Sequence, residues 1–485
     1  MNEILIINFM KQIFSFLLLL CAIPAVAQME KKPNIIFILA DDLGYGDTEP
    51  YGQQIIKTPH LNKLAEEGMK FTQFYAGASV CAPSRASIIT GETTGVTHIR
   101  GNKEVSEPID GQAPIPKNSR SIGKILKSAG YNTAIFGKWG LGTVASTGNP
   151  LLHGFDTFFG YNSQLRAHRR FPPFLWQDNE RYYLTENGNY EHQIVYSEDV
   201  IHEKALDYLE KQSSEKPFFA ILAYTLPHAE LVVPQDSILE SYSHLPEKPY
   251  KGIDYNGEKT IIGGYMSQPK AHATHAAMVS RLDKYLGDVR KLLKRKNLDD
   301  NTIIIFASDN GAHFEGGADP DFFKSSGILR GLKRDLYEGG IRTPFIVYWK
   351  GKVKQQTTSN FVGAFWDLMP TFADIAGVPY TKTGSEVSIL PTLLGKDKKQ
   401  KQHKYLYWEF HELGGRQAVR YGKWKGVRLN VNKDKNGSIE LYDLEKDPSE
   451  KNNIAKNHPR IVKKIAKMME QAHQRSALFP FAWEK

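Results

Sequence analysis

The sequence predicts an α/β fold: a large, mostly parallel sheet flanked by helices, plus a small C-terminal α+β domain with an antiparallel sheet. Three observations predict it. Short apolar runs alternate with amphipathic helical patterns, as βαβ units require. Near residue 396 this gives way to short alternating segments, the mark of antiparallel strands with one solvated face. The chain has 485 residues, of which 41% are hydrophobic, 24% charged and 11% aromatic. That length allows two to three domains and a large core without disulfide staples. Disorder, collagen and coiled coil are excluded as descriptions of the whole chain.

The N-terminus reads as an export signal. Lys11 precedes an apolar run from Ile13 to Ala22, and Ala25-Val26-Ala27 is a small-x-small cleavage pattern. Residues 1–27 are therefore expected to be removed, placing the mature protein in the periplasm or outside the cell. The run is short for a membrane span, so no stable membrane insertion is expected. The bland alternative is an uncleaved anchor. With 62 Lys+Arg against 53 Asp+Glu the net charge is +9, which suits an anionic partner without selecting one. Cys21 leaves with the signal, so Cys81 is the only cysteine of the mature chain. It is either a small buried hydrophobe or a chemically used residue.

Buried parallel strands are expected at Asn34–Ala40, Thr133–Phe136, Phe218–Ala223, Thr302–Ala307 and Phe345–Trp349. Helical patterns lie between them. Pro59–Glu67 stops at Gly68 and Ser121–Ala129 at Gly130; Ser197–Gln212 and Ala273–Leu293 are longer and amphipathic. The basic run Gly395–His403 reads as a linker. It divides a catalytic-type α/β domain (33–395) from a C-terminal unit (396–485). That unit has strands at Tyr405–Phe410, Arg416–Tyr421, Trp424–Leu429 and Ile439–Asp443, and a closing helix over Pro459–Arg475.

Asp41 and Asp42 directly follow one strand run; Asp309 and Asn310 directly follow another. Ligands of open α/β sheets gather at the carboxyl ends of strands. Four hard oxygen donors converging there suit Ca²⁺ or Mg²⁺ rather than zinc. Each pair alone would equally serve as a turn or helix cap. Cys81-Ala82-Pro83-Ser84-Arg85 places the cysteine at or near a helix N-terminus, because Pro83 fits a first turn. Backbone N–H groups there favour an anion, and Arg85 adds a fixed charge one turn on.

Cys-x-Pro-Ser-Arg followed by Thr90-Gly91 resembles the signature of the type I, formylglycine-dependent sulfatases of the alkaline-phosphatase superfamily. The resemblance extends over nearly all of the mature chain. Its carriers are Asn34–Asp47, Gly137-Lys138-Trp139, Pro227-His228, Ser308–Gly311, Arg330–Pro344 and Leu441–Pro448, in that order. It implies that a separate maturation enzyme oxidises Cys81 to formylglycine (3-oxoalanine), whose hydrated form is the nucleophile. It implies that Asp41, Asp42, Asp309, Asn310 and residue 81 surround the metal, Ca²⁺ first and Mg²⁺ second. With the metal, Arg85 would lower the pKa of that hydrate and orient it; Lys138 and Lys333 would bind sulfate oxygens and stabilise the transition-state charge, and His228 would be the general acid.

One departure stands out. The family's Lys-Trp-His-Leu-Gly segment is here Lys138-Trp139-Gly140-Leu141-Gly142, so the histidine position is empty. His313 and His168 are candidates to supply it or to contact substrate. Arg100 and Asn102, in a loop after the signature helix, are candidate substrate contacts. So are the positive charges of Arg166–Arg170, with Trp176 and Tyr182 as sugar-stacking rings. A sulfated glycan is the expected partner, weakly of galactose or N-acetylgalactosamine type; nucleic acid is not. Two other readings stay open: a phosphatase or phosphonate monoester hydrolase of the same superfamily, and a sulfated-glycan-binding protein without turnover.

Overall fold

The computed structural model describes residues 31–106, 110–255, 257–262 and 264–485. The expected signal over residues 1–27 lies outside them. In chain order the strands are β1 (Asn34–Asp41), β2 (Met69–Phe71), β3 (Phe74–Tyr75), β4 (Asn132–Lys138), β5 (Thr157–Tyr161), β6 (Phe174–Gln177), β7 (Glu180–Tyr183) and β8 (Phe218–Pro227). They continue as β9 (Thr302–Ser308), β10 (Phe345–Trp349), β11 (Thr357–Ser359), β12 (Gly363–Ala364), β13 (Leu406–Phe410), β14 (Arg416–Tyr421), β15 (Trp424–Leu429) and β16 (Ile439–Asp443).

The large sheet has ten strands in the order β11-β2-β10-β9-β1-β8-β4-β5-β6-β7. β1 lies near its middle and all eight of its residues are buried. Such a strand reads as a continuous apolar run because helices cover both faces. Its alternate side chains feed two cores. Ile36 and Ile38 join Ile201, Met278, Leu282 and Tyr285, from the helices Ser197–Glu210 and Ala271–Arg295. Ile35, Phe37 and Leu39 join Ala86, Ile88, Leu126 and Phe372, from Cys81–Thr90, Ile122–Ser128 and Leu368–Ala376. The period of two along the strand makes this division, and each fully buried Ile or Phe contributes about 1.5–3 kcal/mol.

β9, β1, β8, β4 and β5 are mutually parallel, while β10 runs antiparallel to both β9 and β2, and β6 and β7 are antiparallel at the other edge. The sheet is therefore mixed, with a parallel centre. Phe345–Trp349, expected to be parallel, is corrected to antiparallel. Between β9 and β10 the chain makes only short helical turns, Glu315–Gly317, Pro320–Phe323 and Glu338–Ile341. It never crosses back over the sheet as a parallel connection must, so it re-enters running the other way.

β13 to β16 form a separate antiparallel sheet in sequence order. One face carries the helix Pro459–Ala472, through Ile465, Met468 and Met469 against Val419 and Leu441. The other meets the large domain, where Trp408 and Tyr442 pack with Tyr75, Val80 and Trp366. The Trp408 indole N–H donates to the Ala76 carbonyl at 2.9 Å. Pro33–Lys485 pack as one compact unit. No helix among the described residues is long and apolar enough to cross a membrane.

Candidate active site

β1 and β9 are in register, with Ala40 opposite Ser308. The residues that follow each strand therefore leave the sheet side by side. Asp41, Asp42, Asp309 and Asn310 are all fully buried. Asp309 Oδ1 accepts from the Asp42 amide at 3.1 Å, and Asn310 Nδ2 donates to Asp42 Oδ1 at 2.7 Å. Asp42 has φ 65°, a left-handed conformation costly for a non-glycine residue and typical of functional turns.

Cys81 is the first residue of the helix Cys81–Thr90 and is buried. Its Sγ lies 3.2 Å from Asp41 Oδ1 and 4.0 Å from Asp42 Oδ1. Val80, the residue before the helix, has no side chain able to cap it; instead Asn102 Oδ1 accepts from the Ala82 amide at 3.0 Å. Burial first, and then the charge of Asp41, push the Cys81 thiol well above its ordinary pKa. That direction is the opposite of the one that activates a thiolate.

Three cations converge on the carboxylates. Lys138, the last residue of β4, donates to Asp41 Oδ2 at 2.7 Å. Lys333 donates to Asp42 Oδ2 at 2.8 Å. Arg85 donates to Asp309 at 3.0 Å through Nε and to the Lys138 carbonyl at 2.7 Å through Nη1. Burial would raise Asp41, but Lys138, His228 and Arg85 outweigh it and hold the carboxyl well below its usual range. Asp309 goes the other way: burial, then Asp41's charge, push it up to about 7.

The donor set fits a divalent cation. Asp41, Asp42, Cys81 and His228 bring ligand atoms within 4.8 Å of one another. Asn310 Oδ1 is buried and accepts no hydrogen bond. An orphaned amide oxygen among crowded carboxylates is what a hard cation would satisfy.

His228 follows β8 and is buried. Its Nδ1 bonds the Ala229 carbonyl, and its Nε2 lies 3.0 Å from Lys333 Nζ and 3.3 Å from Asp42 Oδ2. Burial and the Lys333 ammonium hold its pKa well below the ordinary histidine value. Nε2 is thus the acceptor that faces the cluster, taking a hydrogen bond from Lys333. His168 stacks on His228, with ring centroids 4.5 Å apart and planes at 15°, so it belongs to the edge of the site. His313 stacks from another side at 5.7 Å. Its Nε2 bonds the Pro227 carbonyl at 3.1 Å and its Nδ1 accepts from the Glu315 amide at 3.2 Å. With both nitrogens engaged it is a positioning group.

Position 140 is filled from elsewhere. Gly140 has φ +70°, and a Cβ there would meet Gln164 Nε2 at 2.2 Å. The carboxamide of Gln164 takes the space that a side chain at 140 would need.

Several expected substrate contacts are committed to structure instead. Arg100 is buried and pairs with Glu409 of β13 at 2.8 Å, so it ties its loop to the C-terminal sheet. Arg166 pairs with Asp110 at 2.7 Å and Arg169 with Glu230 at 2.6 Å. Arg170 caps the carbonyls of Ala167, Thr225 and His228. Buried guanidinium groups need such partners, which leaves no free charge for a ligand. Trp176 and Tyr182 sit on the edge hairpin β6–β7, where Tyr182 packs on Phe159 at 5.3 Å. Asn102 alone of that group borders residue 81, and it is exposed.

Sequence reasoning missed Glu315 and Arg334. Glu315 Oε2 accepts from Lys333 at 3.1 Å and Glu315 Oε1 pairs with Arg334 at 2.6 Å. Their signal was their position: Glu315 stands two residues beyond His313, and Arg334 one beyond Lys333.

Comparison with known proteins agrees with this geometry. The sulfatase family model matches residues 33–378, and a model of the N-sulphoglucosamine sulphohydrolase C-terminal region matches residues 332–476. The chain is 29% identical to an N-acetylgalactosamine-6-O-sulfatase of Bacteroides thetaiotaomicron, over 92% of this chain and 94% of that one. It is 30% identical to the human N-acetylgalactosamine-6-sulfatase over 75% of this chain, which is 66% of the human protein. A solved B. thetaiotaomicron sulfatase, described in the context of glycosaminoglycan metabolism, superposes with a TM-score of 0.71 at 27% identity. That match covers 91% of this chain and 99% of the other. With the signature cysteine, the carboxylate cluster and both lysines in one buried site, the chain belongs to the sulfatase family.

Proposed function

We propose that this sulfatase hydrolyses a sulfate ester of a carbohydrate, of the galactose or N-acetylgalactosamine type, after Cys81 has been oxidised to formylglycine. The observation that carries the reading is the placement of Cys81. It is the first residue of a helix, 3.2 Å from Asp41 Oδ1, in a buried pocket whose carboxylates disfavour a thiolate. Such a pocket suits a hydrated aldehyde better than thiolate chemistry. The names of the relatives, N-acetylgalactosamine-6-sulfatases, support the substrate class.

In this reading one hydroxyl of the hydrated residue 81 forms a bond to sulfur as the bond from sulfur to the sugar oxygen breaks. Lys138 and Lys333 hold sulfate oxygens and offset the charge that builds on them. His228 Nε2 takes up a proton from Lys333, 3.0 Å away, and delivers it to the departing sugar oxygen. The second hydroxyl of residue 81 then loses its proton and reforms the aldehyde, releasing sulfate. Plain cysteine has no second hydroxyl with which to do this. Arg85 holds Asp309 and the Lys138 carbonyl in place. A bound divalent cation, Ca²⁺ or Mg²⁺, would sit among Asp41, Asp42, Asp309 and Asn310 and supply Lewis acidity toward a sulfate oxygen. The signal pattern over residues 1–27 supports export, and a separate maturation enzyme is the implied transient partner.

The test is steady-state kinetics on protein purified from its own host. Sulfate monoesters of galactose and N-acetylgalactosamine are compared with phosphate monoesters of the same sugars. Turnover confined to the sulfates is expected. Preference for the phosphates, or binding without turnover, contradicts the reading.

A further inference from the structure

The group that protonates a leaving oxygen marks the side of the site on which the leaving group lies. Here the leaving group is the sugar, so the residues outside His228 are the ones positioned to touch it. Tyr265 has its ring 6.4 Å from His228 and 5.7 Å from His168, and its hydroxyl lies 3.4 Å from Glu315 Oε2. Glu315 also accepts from Lys333, and its other oxygen pairs with Arg334 at 2.6 Å. The site interior is closed to solvent, yet the Glu315 side chain is 15% exposed and that of Arg334 is 29% exposed.

Arg334 carries a second, independent mark. Its φ is +76°, in the left-handed region that an arginine adopts only at a cost, and its amide donates to the Ser79 carbonyl at 2.8 Å. Backbone held in this way beside a reaction centre fixes where a side chain emerges. Two observations thus converge on one place: an open ion pair at the mouth, and a strained backbone that aims half of it.

We propose that Arg334 and Glu315, with Tyr265, form the sugar-recognising wall of the site. Arg334 and Glu315 would donate to and accept from hydroxyls of the sugar that carries the ester. The pair offers fixed donors on one side and acceptors on the other, which suits neighbouring hydroxyls better than a flat aryl ring. Without substrate the two side chains satisfy each other, so the wall stands ready without an unpaired charge. This inference rests on the carbohydrate reading of the preceding subsection.

The experiment measures binding rather than turnover, so it does not depend on maturation of residue 81. The Cys81→Ala protein, with Ca²⁺ present, is titrated calorimetrically with inorganic sulfate. It is then titrated with the 6-sulfates of galactose and N-acetylgalactosamine. Adding Arg334→Ala is expected to weaken the best sugar sulfate about tenfold more than it weakens inorganic sulfate. Arg334→Lys, which keeps the charge but not the planar fork, should recover only part of the loss. Equal weakening of both ligands would mean that Arg334 acts through the Lys333 pocket, and no weakening would mean that it acts on neither; both outcomes overturn the proposal. If the Cys81→Ala protein binds no sugar sulfate better than inorganic sulfate, the carbohydrate reading itself fails, before any change at Arg334 is made.

Discussion

A buried thiol beside a carboxylate is a poor nucleophile, and that defines the chemistry at the scale of single residues. The site surrounds Cys81 with groups that suppress thiolate while gathering cations about Asp41 and Asp42. Lys138 is the simplest of these to test. It is fully buried, and among the described residues its one carboxylate partner is Asp41. Lys138→Ala is expected to lower kcat about 10²–10³-fold, the usual cost of removing one aligned charge donor, as read by initial rates at saturating substrate. Gly140 offers a second test. Its left-handed φ makes Gly140→Ala cost about 1–2 kcal/mol in backbone strain, measured by denaturant unfolding. The clash with Gln164 Nε2 adds less, because the end of a flexible side chain can move aside. The missing histidine was legible in the sequence; that Gln164 fills its space was not, because the two positions meet only through the register of β4 with β5.

At the scale of elements, the strand ends were legible because hydrophobic runs and the Asp or Asn pairs that close them are local signals. The direction of β10 was not, since an apolar run is the same read forwards or backwards. Nor was the fate of Arg100, Arg166, Arg169 and Arg170. Composition shows a basic cluster, and only packing shows that Glu409, Asp110, Glu230 and a set of carbonyls absorb it. The end of the Pro459–Ala472 helix makes a testable case. His473 bridges Glu409 at 2.7 Å and Glu484 at 3.0 Å. Burial lowers its pKa, but the two carboxylates outweigh that and raise it above the ordinary value. A raised histidine contributes stability that is complete below its unfolded pKa and is lost as pH rises through its folded one. Glu409, the shared partner, is buried and held down to about 2 by His411, His473 and Arg100. Its contribution is present at neutral pH and lost only as pH falls from the ordinary carboxylate range toward 2. The wild-type melting temperature should therefore decline on the alkaline side of the histidine range, and His473→Gln should flatten that decline. An unchanged slope in the variant would show that the bridge carries none of it.

For the whole molecule, the C-terminal sheet is part of what holds the active site. Arg100 and Asn102 share one loop: Asn102 caps the helix that begins at Cys81, and Arg100 anchors to Glu409 of β13. Arg100→Ala would leave a buried carboxylate short of a partner. Losing half of a buried ion pair costs about 3–5 kcal/mol. The low end is expected, because His411, His473 and Tyr407 still bond Glu409. Chemical denaturation of the full chain measures this, and an effect below about 1 kcal/mol would mean that the pair behaves like a surface bridge.

The account as a whole depends on what residue 81 becomes. Peptide mass spectrometry of the protein from its native host reads this directly. Conversion to formylglycine, with an oxygen in place of the thiol sulfur, gives a peptide about 18 Da lighter than the cysteine form. The account predicts that loss on the peptide containing position 81. An intact Cys81 thiol at full occupancy, in protein that still turns over sulfate esters, would contradict it.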